Sequence, residues 1–81
     1  MKIKIVGIQD QNYTLDSGYS FDGLKLHCLD LESAEKNLSG NLTTTIKLPR
    51  TSPYISSLTI GMECNVYFDQ KGRVDVLQPV K

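Results

Sequence analysis

The feature that most limits what this chain can fold into is an alternation of period two that runs through nearly all of it. In "KIKIVGIQ" (2–9), "YTLDSGYSF" (13–21), "LKLHCLDL" (24–31), "NLTTTIKL" (41–48), "LTIGMECNVYF" (58–68) and "RVDVLQPV" (73–80), apolar residues recur at every second position. That is the spacing of a strand with one face on a core, not the 3.6-residue spacing of a helix. In the first run Ile3 and Ile5 point inward, and Val6 and Ile8 lie on the second face. "DQN" (10–12) is expected to be a turn or bulge, and the Asp22-Gly23 pair a hairpin turn, since Asp-Gly between alternating runs is a strong hairpin signal. Residues 32–41, "ESAEKNLSGN", lose the alternation and read as a loop. Pro49 and Pro53 break the next stretch, with one helical turn expected after Pro53. "DQKG" (69–72) closes the last hairpin, with Met62, Cys64, Val66, Phe68, Val74 and Val76 inward.

Five or six short strands and no long helix give an all-β chain, expected as a single domain over residues 1–81. A sheet this small must protect its edges, and closure into a small barrel does so most completely. A five-stranded OB-like barrel is the expected fold, with an SH3-like barrel as the alternative. Gly7 and Gly61 are placed where a barrel needs sharp bends. At 81 residues the core is small, so association into a homodimer is expected on size grounds.

Catalysis finds little support. The one histidine, His27, stands next to Cys28, and adjacent strand residues point to opposite faces, so the two cannot act as a pair. There is no CxxC, HxxxH or calcium-loop spacing. No enzyme activity, metal or cofactor is expected. Cys28 and Cys64 read as reduced, buried thiols. The Asn-x-Ser/Thr triplets at Asn12, Asn37 and Asn41 read as coincidences of composition. The first residues form a strand, not a signal peptide, and nothing is long enough to span a bilayer, so a cytoplasmic protein is expected.

Binding is better supported. Nine basic and nine acidic side chains leave no net charge, which argues against a strongly polyanion-binding surface. The charges are segregated, however: residues 1–9 carry +2, residues 10–35 carry six carboxylates against Lys25 alone, and residues 36–81 carry six cations against three carboxylates. Aromatic rings alternate with these cations. Tyr19 and Phe21 flank the expected hairpin tip, Tyr54 lies in the proline break, and Tyr67 is out of phase with its core neighbours. Tyr13 and Leu15 share the face of Tyr19 and Phe21 and serve equally well as core. Rings interleaved with Lys and Arg suit single-stranded nucleic acid, where bases stack and phosphates meet cations. The candidate interface is Tyr19, Phe21, Tyr54 and Tyr67 for stacking, with Lys25, Lys47, Arg50, Lys71 and Arg73 for phosphate.

The layout also resembles the gene V-type single-stranded-DNA-binding proteins of filamentous phages. The shared features are a Lys/Ile opening strand, an early hairpin written "YTLDSGYSFDGLKL", and a closing strand with the tail "VLQPVK". The resemblance implies a dimeric OB-like barrel that binds single-stranded DNA, in preference to RNA, during phage DNA replication, through a protruding wing. Tyr19 and Phe21 fall on the wing and Lys25 just beyond it. The family wing is basic, whereas this one carries Asp16 and Asp22, and the 32–41 connection is longer and more acidic. The alternative expectation is a protein-interaction or small regulatory module on the same barrel.

Overall fold

The computed structural model describes residues 1–33 and 35–80. Five strands form one antiparallel sheet: β1 (Lys2–Thr14), β2 (Ser20–Asp30), β3 (Leu42–Pro49), β4 (Glu63–Phe68) and β5 (Val74–Pro79). A 3-10 turn, Ile55–Ser57, follows Pro53. The sheet order is β3-β2-β1-β4-β5. β1 therefore pairs on both sides, and β3 and β5 are the two edges. The sheet curls until these edges approach each other, but no ladder joins them. This is the partly open, five-stranded layout of an OB-like barrel.

The core faces inward from every strand: Ile3 and Ile5 of β1, Leu26 and Cys28 of β2, Ile46 and Leu48 of β3, Cys64 and Val66 of β4, and Leu77 of β5. Tyr54, Ile55 and Leu58, from the segment around the 3-10 turn, pack against the core as a partial cap. Both thiols are free and buried. Burial, reinforced by the neighbouring Cys64, pushes the Cys28 thiol up to about 11, so it stays protonated at neutral pH.

The strand pattern departs from expectation at three places, each for a physical reason. First, β1 runs unbroken through residues 10–12, and the irregularity falls between Ile5 and Gly7 instead. Val6 is the extra residue and stays exposed. A one-residue bulge exchanges the two faces of everything after it. Ile8 therefore packs against the core with Ile3 and Ile5 rather than on the opposite face.

Second, Asp22-Gly23 is not a turn. The β1–β2 hairpin closes over Asp16-Ser17-Gly18, with Tyr13 opposite Phe21 and Thr14 opposite Ser20. Gly18 takes φ 91°, and Leu15 N donates to Tyr19 O at 2.7 Å while Gly18 N donates to Leu15 O at 2.9 Å. Such a three-residue loop needs a glycine at its left-handed position. Gly23 instead lies inside β2, where a Cβ would fall 2.1 Å from the Leu48 carbonyl oxygen. It marks a close approach of two backbones, not a change of direction.

Third, β4 begins only at Glu63, and Gly61 belongs to the turn before it. The β4–β5 ladder shifts between Tyr67 and Phe68, whose partners are Val76 and Val74. Val74 packs against the core as expected, but beyond the shift the phase reverses, leaving Val76 exposed and Leu77 buried. Phe68, expected in the core, is 42% exposed. Its strand phase is inward, but it stands at the end of β4 beside the unpaired seam, where nothing covers it.

Asp30 anchors the exit from β2. Its carboxylate, nearly buried, accepts from Glu32 N at 3.0 Å and Ser33 N at 2.9 Å. These bonds hold it below the usual aspartate value near 3.8. An aspartate depressed in the folded state stabilises the fold above its unfolded value, and that stability is lost as pH falls through the folded value. Asp30→Asn is therefore expected to flatten the acid limb of a stability–pH profile below about pH 4, read from urea midpoints. A limb as steep as in the parent protein would refute this role.

Candidate nucleic-acid interface

An open cleft of about 710 Å³ lies at the seam between β3 and β5. The β1–β2 turn contributes Tyr19, β2 contributes Phe21, and β3 contributes Thr45, Ile46, Lys47 and Pro49. Phe68, Asp69, Gly72, Arg73 and Val74 come from the β4–β5 hairpin. Segments more than 50 residues apart in sequence thus meet here because the curled sheet brings its two edges together.

The side chains in the cleft are held from below. Lys47 Nζ donates to Tyr13 Oη at 2.8 Å and lies 5.3 Å from the Tyr13 ring centroid and 5.5 Å from that of Phe21. Those two rings sit 5.8 Å apart and are tilted by 36°. The hydroxyl bond raises the Lys47 pKa, so the side chain is a fixed cation at neutral pH. At the other wall the last turn is organised by Asp69, whose Oδ1 accepts from Lys71 N at 2.9 Å and Arg73 N at 3.0 Å. These bonds, the one from Arg73 foremost, lower the Asp69 pKa. Its other oxygen meets Arg73 Nε at 3.6 Å, with Arg73 still 70% exposed. Asp69 thus spends its charge on the turn, and Arg73 reaches into the cleft from a rigid base.

Of the nine sequence candidates, Tyr19, Phe21, Lys47 and Arg73 line this cleft. The remaining five do not. Lys25 is the direct cross-strand partner of Lys47 on the outer face of β2–β3, beside the cleft but outside it. Lys71 stands in the β4–β5 turn, exposed next to the rim. Tyr67 is exposed on the outer face of β4, opposite Val76. Tyr54 is not in the cleft, because it packs, partly buried, against the core. Arg50 is not a free phosphate ligand either: its guanidinium bonds Asp10 and, at 3.0 Å, Asp22. The Asp10 bond, then the Asp22 bond, raises its pKa. This pair also removes Asp22 from the cleft, since Asp22 and Phe21 project from opposite faces of β2.

Sequence reasoning missed one aromatic residue that lines the cleft, Phe68, and one that packs beside it, Tyr13. Phe68 was assigned to the core from its phase alone. Tyr13 becomes visible once the hairpin tip is placed at Ser17, because it is then the cross-strand partner of Phe21. His27 is bonded to Gln9 Oε1 at 3.0 Å on the outer face, away from Cys28. Among the described residues, no cluster of three or more His, Cys, Asp or Glu side chains could hold a metal ion. Nor is any helix there long and apolar enough to cross a membrane. No family model, curated protein or solved structure matches this chain.

Proposed function

We propose that this protein is a non-catalytic, sequence-tolerant single-stranded-DNA-binding protein that holds the strand in the β3–β5 cleft. One observation carries the reading: two exposed rings (Tyr19 and Phe68), one half-buried ring (Phe21) and two cations (Lys47 and Arg73) from three separate segments line one open groove. Ring faces accept any base, and cations spaced among them accept the backbone, which is the recipe for binding without sequence readout. The location supports it too, since OB-like barrels bind oligonucleotides on the strand 2–3 face between the β1–β2 and β4–β5 loops. The gene V-type resemblance points to the same ligand and to a homodimer of phage type.

Labelled oligo-dT titrated with the protein at two salt concentrations tests this. Binding in the micromolar range in low salt is expected, weakening steeply as salt rises because cations on phosphates release counterions. An unshifted oligonucleotide at micromolar protein in low salt would end the proposal.

A second reading rests on a different surface. The edges of β3 and β5 are unpaired, and Tyr67 and Val76 form an exposed apolar pair on the outer face of β4–β5. An unpaired edge with an adjacent apolar pair suits the addition of a strand from a protein partner. A partner recovered equally well before and after nuclease treatment would favour that reading.

A further inference from the structure

The outer face of β1–β2–β3 carries a pair of like charges that the cleft alone does not explain. Lys25 and Lys47 are direct cross-strand partners, so their Cβ atoms stand about 5 Å apart on one face. Like charges placed opposite each other weaken a sheet. No carboxylate forms an ion pair with either lysine among the described residues. The third position of the same rung, on β1, is Gln9, an amide whose oxygen is already bonded to His27. Two cations thus face each other with no counter-anion. Lys47 turns toward the hairpin tip, where Tyr13 Oη and two ring faces take its ammonium. The ring pair nearest the lysines is therefore covered by one of them.

We propose that Tyr13, Phe21, Lys25 and Lys47 form one nucleotide subsite. Lys25 and Lys47 share a single backbone phosphate, and the Tyr13–Phe21 pair takes the adjoining base. Lys47 exchanges the Tyr13 hydroxyl for the phosphate as the strand arrives, and the rings are uncovered by the same movement. The exchange is favourable because a bond between two charged groups is stronger than one to a neutral hydroxyl. The phosphate also relieves the repulsion built into the rung. This subsite rests on the single-stranded-DNA reading above, and its test separates the two.

The experiment is a salt series of oligo-dT titrations on the full chain, with the double variant Lys25→Met/Lys47→Met and with Tyr13→Phe, each confirmed folded by circular dichroism. For one shared phosphate, the double variant should reduce the log–log salt slope by about 0.7. A reduction of about 1.4 would mean two separate phosphates and would overturn the sharing. An unchanged slope would overturn the subsite. Tyr13→Phe keeps the ring and frees Lys47, so binding should tighten by about two- to tenfold at an unchanged slope. Equal or weaker binding by Tyr13→Phe would overturn the exchange. If the parent protein binds oligo-dT and the variants fail these marks, only the subsite falls. If the parent protein does not bind, the function itself is wrong and the subsite goes with it.

Discussion

Gly23→Ala should remove about 3 kcal/mol of stability, a large share of the total, on the order of 4–12 kcal/mol, that a chain of this length holds. The added methyl would sit 2.1 Å from the Leu48 oxygen and 2.9 Å from the Pro49 Cα, both backbone atoms of the neighbouring strand. A flexible side chain could move aside, but a paired strand moves only by giving up its ladder. Gly18→Ala is the matched control. Nothing lies within 4 Å of its Cβ position, yet its φ of +91° is one that L side chains rarely adopt. It should cost about 1–2 kcal/mol through backbone strain alone. Urea unfolding checks both, with the midpoint of Gly23→Ala falling further at an unchanged slope. A Gly23→Ala midpoint equal to or above that of Gly18→Ala would show that β2 and β3 do not approach as closely as described.

Phe68→Ala should weaken oligo-dT binding about 5- to 150-fold, the loss of one stacked base. Its neighbour Tyr67→Ala should leave the affinity unchanged. The two rings are similarly exposed, at 42% and 50%, and differ by one position in sequence. Only Phe68 opens onto the cleft. Exposure alone would rank them equal, so the contrast isolates position. Because Phe68 is partly solvated, its removal should lower the melting temperature little, which keeps the binding result readable. Greater loss from Tyr67→Ala than from Phe68→Ala would move the interface to the outer face of β4–β5 and favour the protein-partner reading.

Part of the cleft's lining could be read from the sequence. Tyr19 and Phe21 were found as hairpin aromatics, and Lys47 and Arg73 as cations near a strand or turn. Arg50 and Tyr54 fall outside the cleft, because sequence records which groups are present, not what they touch. Arg50 meets Asp10 and Asp22 across three strands, a pairing set by register. Tyr54 caps a core whose open end is visible only once the sheet has curled.

The alternation of apolar residues determined, by itself, that the chain is all-β, which stretches are strands, and most of the inward set. A strand's two faces are fixed by a period of two, and burial of one face follows from its apolar content. The folded sheet decided the rest. A single extra residue at Val6, and another shift beside Phe68, changed which face is inward without leaving a mark in composition. The same Gly after Asp turned the chain in one expectation and admitted a neighbouring backbone in fact. The cleft exists only because two edge strands, distant in sequence, are brought together without pairing. Long-range juxtaposition depends on curvature and register summed over the whole sheet, and no local pattern encodes that sum.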